Sequence, residues 1–309
     1  MNLTNLLSST FTFDGGVHFY KNNFSFTLFG HEFTIAFYAI AIVLGMIACV
    51  ILARPLCKKI GLNPDILLDY MIAIIPISII CARLWYVLTD LDSFDSFYDV
   101  IAIWNGGNAI FGGVMGGALA IFIVSKIKKI PFFTIADMGG IMLPLGQAIG
   151  RWGNFFNQEV YGGVTTAHFP FGVYIAADGQ WHVALFFIEG LLNMALFAAL
   201  YTYYMKRKNV NQLGYTTGMY LFGYGTIRAI LEPLRDAKYN LTGWGFKTQV
   251  LTGIVSAVIG AAIVVYCLWR DKKWFFKYLN KKSSDDFFSS ATASDNGAAD
   301  IKEDNNETK

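Results

Sequence analysis

Residues 34–59 read TIAFYAIAIVLGMIACVILARPLCKK: no charged side chain from Thr34 to Ala53, then Arg54, Lys58 and Lys59 close together. About 20 predominantly apolar residues suffice for a helix to cross a bilayer, and a basic cluster at one end marks a cytoplasmic boundary. That reading decides the fold, because the pattern recurs. Further apolar stretches occupy about 66–88, 108–125, 130–149, 182–205, 213–233 and 248–269. Basic residues follow the third (Lys126, Lys128, Lys129), the fifth (Lys206, Arg207, Lys208) and the seventh (Arg270, Lys272, Lys273), as they follow the first. Between the second and third lie Asp90, Asp92, Asp95 and Asp99, with no Lys or Arg. Alternating basic loops give the expected fold: an all-α polytopic membrane protein of seven transmembrane helices, with its N-terminus outside and its C-terminus cytoplasmic.

The composition agrees, since 55% of the 309 residues are hydrophobic and only 15% charged, which excludes an ordinary soluble domain. The net charge of +2 says little about partners, because what matters is where the charges sit; no nucleic-acid partner is expected, and the surrounding partners are membrane lipids. Residues 1–30, aromatic and polar by turns, are expected to lie along the outer surface; the opening MNLTNLLSSTFTFDGG lacks the basic and apolar regions of a cleavable signal peptide. Residues 31–273 form the transmembrane domain, interrupted at 155–181 by short runs of Gly, Pro, Thr and aromatics that indicate a small extracytoplasmic arm of strand or turn character. Residues 274–309 begin as a basic aromatic interfacial stretch and end in an acidic, apolar-poor tail expected to be disordered. Cys49, Cys57, Cys81 and Cys267 are scattered and read as small core hydrophobes. His18, His31, His168 and His182 form no metal-spacing pair, so neither metal nor cofactor is expected.

Ionisable residues at membrane depth cost roughly 2.5–3.5 kcal/mol each on insertion scales and are therefore functional candidates. Arg83 sits near the outer end of the second span and Glu189 within the fifth. Asp137, Gln147, Arg151 and Asn154 fall roughly on one stripe if the fourth helix continues. In the sixth, Tyr224, Arg228 and Glu232 are four residues apart and Arg235 returns to the same face. Arg228 and Glu232 alone would make an ordinary i,i+4 pair. Two arginine-bearing stripes on different helices instead suggest a shared anion site, because the guanidinium fork matches a phosphate. A phospholipid headgroup is the anion the setting supplies. Gly112, Gly113, Gly116 and Gly117 read as close helix packing. Tyr38 is either a core aromatic or a hydroxyl donor.

The segment GRWGNFFNQEVYG closely resembles the signature of the prolipoprotein diacylglyceryl transferases, Gly-Arg-x-Gly-Asn-Phe-x-Asn-x-Glu-x-x-Gly. Gly150, Arg151, Gly153, Asn154, Phe155, Asn157, Glu159 and Gly162 meet every fixed position. Around it, FYAIAIVLG, CARLWYVL, NGGNAIFGGVMGG, PLGQAIGRWGN, GYGTIRAILEPLR and KTQVLT, with Gln249, are similar to further family segments, covering most of residues 30–255. The resemblance implies an enzyme of the bacterial cytoplasmic membrane. It would transfer the diacylglyceryl group of phosphatidylglycerol to the lipobox cysteine of a prolipoprotein signal peptide, forming a thioether and releasing glycerol phosphate. It also implies roles for residues: Arg151, Arg228, Tyr38, Asn154, Glu159 and Tyr224 in catalysis, and Arg151, Arg228, Arg235, Asn154, Arg83 and Gly162 in binding the phospholipid. Glu232, Asn157, Gln147 and Asp137 would support them. Two departures stand out: the family often has a histidine, proposed as base, where this chain has Phe111, and the usual His-Pro segment is His182-Val183. The alternative reading is a phospholipid- or anion-binding protein or transporter using the same arginines; the lack of an internal repeat leans against transport.

Overall fold

The computed structural model describes residues 11–13, 17–19, 23–28, 31–91, 94, 96–103, 106–107, 109–208, 212–236, 242–243, 246–247 and 249–272. The expectations for residues 1–10, for Asp92 and Asp95 and for the tail 274–309 lie outside these residues. The chain divides into two compact units, residues 1–263 and 264–309; the described part of the second, 264–272, is helical.

The elements are β1 (Phe11–Phe13), β2 (Val17–Phe19), β3 (Asn23–Leu28), β4 (His31–Ala36), α1 (Phe37–Lys59), α2 (Ile66–Thr89), α3 (Phe97–Ile101), α4 (Ile110–Lys128) and α5 (Phe132–Asn157), followed by β5 (Gly172–Ile175), β6 (Gln180–Val183), α6 (Leu185–Lys206), α7 (Tyr215–Leu231), β7 (Thr242–Gly243), β8 (Phe246–Lys247) and α8 (Gln249–Lys272). Six of the helices, α1, α2, α4, α5, α6 and α8, are long and apolar enough to cross a membrane. The expected sixth span is shorter than its apolar stretch. α7 has 17 residues, about 26 Å of helix against a hydrocarbon core of about 30 Å. It ends where Pro233, lacking an N–H, turns the chain into the 3-10 segment Glu232–Leu234.

The all-α expectation also needs correcting at the small hairpins. β3 and β4 pair antiparallel with Asn23 opposite Ala36, so the chain from Thr34 to Ala36, expected to open the first span, is strand. β-branched Thr34 and Ile35 suit that conformation. In the arm, β5 and β6 pair with Gly172 opposite Val183. Strand character was expected there, but the arm begins later than residue 155, because α5 continues to Asn157.

α5 is the central helix of the first unit, packing against α1, α6 and α7, while α4 packs chiefly on α2. Small residues make the close crossings. A Cβ on Gly116 would lie 2.7 Å from Cys81 Cβ, and one on Gly112 would overlap the Cys81 carbonyl, so the expected packing role holds. Gly225 and Gly253 do the same where α7 meets α8. One apolar cluster surrounds Leu56, Cys57, Tyr70, Met138, Ile141, Leu200 and Tyr204. A second joins Phe155, Tyr161, Val173, Ile175, Ala184 and Phe186, tying the end of α5 to the arm and to the start of α6. No disulfide joins Cys49, Cys57, Cys81 or Cys267.

Candidate active site

α5 and α7 run side by side in the same direction, and two sets of contacts fix their register. Near their starts, the buried Asp137 carboxylate accepts from the Gly214 amide (2.8 Å), the Thr217 amide (2.9 Å) and the Thr217 hydroxyl (2.7 Å). This carboxylate supplies acceptors to helix-start amides that have no intrahelical partner, and its charge suits the positive end of the helix dipole. Asp137 and Gly214 are 77 residues apart, the same offset as between Arg151 and Arg228. Parallel helices pinned at that offset carry both arginines at one level, fourteen residues or about 21 Å further along. One turn before Arg151, Gln147 Nε2 donates to the Tyr220 hydroxyl at 2.9 Å, and Tyr220 stacks on Tyr224 with ring centroids 5.7 Å apart. Asp137 therefore shares the helix with Arg151 but does not touch the arginines; it caps the start of α7 at the opposite end.

At the far end α6 supplies the missing partner. Phe186 packs against Phe155 (centroids 4.9 Å) and Trp152 (5.5 Å), contacts that set Glu189, one turn on, opposite Arg151. Glu189 Oε1 lies 2.6 Å from Arg151 Nη2, and Oε2 lies 3.6 Å from Arg228 Nη1. Arg228 Nη2 is 2.8 Å from Glu232 Oε2, whose other oxygen is 3.1 Å from Arg235 Nη1. Arg235 Nη1 also donates to Gln249 Oε1 at 3.0 Å. The result is one continuous row, Arg151–Glu189–Arg228–Glu232–Arg235, with three guanidiniums against two carboxylates. The arginine side chains are 19%, 16% and 8% exposed, the carboxylates 4% and 1%. The cations thus stand in front and the anions behind. Burial is tolerable because every charge has a partner, and the surplus positive charge faces the more accessible side.

The signature wires itself to this row. Arg151 Nη1 donates to Asn154 Oδ1 (3.2 Å), and Asn154 Nδ2 (3.1 Å) and Asn157 Nδ2 (3.3 Å) both donate to Glu159 Oε1. Glu159 lies between Gln158 (φ 49°) and Val160 (φ 59°), both left-handed. That conformation is costly for a β-branched residue, and it ends α5. Gly153 is required because a Cβ there would overlap the ring of Tyr38, which packs directly on the helix at that point. Gly162 has a similar reason: its Cβ would sit 2.9 Å from the Leu234 carbonyl oxygen and from Val183 Cβ. Gly162 forms a backbone bridge with Arg235, and the Asp236 amide donates to the Tyr161 carbonyl at 3.0 Å. The buried His182 completes the clasp, with Nδ1 2.9 Å from the Gly162 carbonyl and Nε2 2.9 Å from Asp178 Oδ2.

The structure thus brings together Arg151, Arg228, Arg235, Asn154, Asn157, Glu159 and Glu232. Tyr224 is close enough to both Arg151 and Arg228 to interact with their charges. Gln147 reaches this group through Tyr220, and Gly162 through the Arg235 backbone. Arg83 belongs elsewhere. Its three guanidinium nitrogens donate to the carbonyls of Val100, Gly106, Gly107 and Asp99, and its plane lies against Phe94 and Tyr86. It fastens α3 and the segment after it to α2. Phe111 is exposed on α4. Glu189 is the residue whose role the sequence concealed: an acid in an apolar span was visible, but not which arginines it bridges. Among the described residues no three His, Cys, Asp or Glu side chains converge as a metal site would require.

A model of the prolipoprotein diacylglyceryl transferase family matches residues 25–266. A phosphatidylglycerol–prolipoprotein diacylglyceryl transferase of Streptococcus pneumoniae is 34% identical over 239 residues, covering 75% of this chain and 89% of the relative. The corresponding transferase 1 of Clostridium perfringens is 34% identical over 251 residues, covering 78% and 94%. These relatives are named as transferases, which leaves the transporter or binding-protein alternative unsupported. Signature, arginine row and relatives agree, and the chain belongs to the prolipoprotein diacylglyceryl transferase family.

Proposed function

We propose that the chain transfers the diacylglyceryl group of phosphatidylglycerol to the sulfhydryl of a lipobox cysteine in a prolipoprotein signal peptide. The sulfur bonds to the glyceryl carbon that carries the phosphate, the carbon–oxygen bond breaks, and glycerol phosphate leaves with the electron pair. The observation that carries this reading is the row Arg151–Glu189–Arg228–Glu232–Arg235, with its surplus guanidinium. Arg151 and Arg228 hold the phosphate oxygens and stabilise the charge that grows on them as the bond breaks, an interaction that is stronger in a water-poor site. Arg235 adds positive potential and is held by Glu232 and Gln249. Asn154 and Tyr38 orient the headgroup or thiol at the outer end of α5. Tyr224 lines the same face.

The setting is the bacterial cytoplasmic membrane, with seven crossings, α7 being the short one, an outer N-terminus and a cytoplasmic C-terminus. The basic clusters at Lys58, Lys128 and Lys206 then face the cytoplasm, and the arginine row opens towards the outer leaflet. Purified protein in phosphatidylglycerol vesicles, given a lipobox peptide, is expected to yield the diacylglyceryl thioether and glycerol phosphate in equal amounts by mass spectrometry. Lipid binding with neither product would overturn the reading.

A further inference from the structure

The thiol must lose its proton to become a nucleophile, and Phe111, an exposed hydrocarbon side chain on α4, cannot take it. We infer that Glu159 is the general base of this protein, receiving the thiol proton on Oε2. The inference rests on the transferase reading and deepens it.

Three carboxylates belong to the site, and their surroundings differ. Glu189 and Glu232 each have both oxygens within ion-pair distance of guanidiniums, at 2.6 and 3.6 Å and at 2.8 and 3.1 Å. Taking a proton there would break ion pairs that hold the arginine row. Both are also buried behind the cations. Tyr224 would itself have to be ionised before it could accept a proton. Glu159 is different in each respect. It is half-buried, its Oε1 accepts from the neutral amides of Asn154 and Asn157, and among the described residues nothing donates to Oε2. One oxygen is thus fixed and the other open, the arrangement a positioned base needs.

Its position suits the reaction as well. Asn154 links the Arg151 guanidinium to the Glu159 carboxylate through one amide, so the base sits one side chain from the cation that holds the phosphate. The attacked carbon is bonded to that phosphate. The left-handed residues on either side of Glu159 turn the chain back over the end of α5, and strain held at such a place accords with a working side chain. In the step itself the S–H bond breaks and its proton passes to Oε2. The sulfur–carbon bond then forms as the carbon–oxygen bond opens, and Glu159 returns the proton to the departing glycerol phosphate or to water.

Glu159→Gln keeps an oxygen to accept from both asparagines but removes the base. Transfer by this variant and by the parent protein is measured in phosphatidylglycerol vesicles with paired lipobox peptides carrying cysteine or selenocysteine; a selenol is ionised at neutral pH without help. The variant is expected to lose about 10²–10⁴-fold in kcat on the thiol peptide and to recover most of that loss on the selenol peptide, with retention of phosphatidylglycerol by native mass spectrometry unchanged. Equal losses on both peptides would make Glu159 a positioning residue only, and no loss on the thiol would dismiss it; either overturns the assignment. A parent protein that modifies neither peptide overturns the transferase reading itself.

Discussion

The two ends of the α5–α7 pair carry buried polar networks built from similar parts, yet they are balanced differently. At the Asp137 end, one carboxylate meets three donors and a helix start, and its surroundings need nothing more. At the Arg151 end, three guanidiniums share two carboxylates, and Gln147 Oε1 and Arg235 Nε are buried without a hydrogen-bond partner among the described residues. A closed network specifies structure; one with surplus positive charge is what the proposed phosphate site requires. The first sets the register that puts Arg151 and Arg228 at one level, so the structural end makes the functional end possible.

Substitutions at the two ends should therefore fail in different ways. The largest effect is expected for Arg228→Ala, which removes a proposed phosphate ligand and leaves Glu189 and Glu232 short of a partner; transfer should drop by about 10³-fold or more, since single donors to a developing anion are typically worth 10²–10³-fold. A drop below tenfold in initial rate would break the distinction drawn between the ends. Gly162→Ala should cost less, about tenfold in kcat/KM, because the added methyl pushes on the Leu234 carbonyl and shifts Arg235 without deleting a charge. The smallest catalytic effect belongs to Asp137→Ala. Losing the helix-start acceptors should cost about 1–2 kcal/mol of stability, read as a lower thermal midpoint in detergent, with activity reduced no more than about threefold at low temperature. If Asp137→Ala instead abolished transfer with the midpoint unchanged, the Asp137 end would have to be part of the chemistry.

How far the sequence reveals this depends on the range of each interaction. Apolar length and basic clusters locate the six long apolar helices and the shorter α7, because hydrophobicity is a local property, although α5 runs eight residues beyond its expected end at 149. The boundaries move where pairing intervenes, as when Thr34–Ala36 join β4 in pairing with β3, or where a proline acts, as at Pro233 after α7. Within the site, Tyr224, Arg228 and Glu232 are legible because one helix carries them at fixed spacing. Periodicity alone misleads for Asp137, which shares a stripe with Arg151 but stands about 21 Å away. Three features escape any one-dimensional reading. Glu189 bridges two other helices, Gly162 meets Arg235 through backbone, and Arg83 is consumed by four carbonyls, two in α3 and two in the loop after it.

The central claim is that the arginine row holds the phosphate that leaves. Its most direct test is thioether formation by Arg151→Ala in phosphatidylglycerol vesicles, followed by peptide mass with the parent protein alongside. The expected result is less than about 1% of the parent's diacylglyceryl adduct, from a protein whose thermal midpoint shows it to be folded. Adduct formed at the parent's rate would contradict the account.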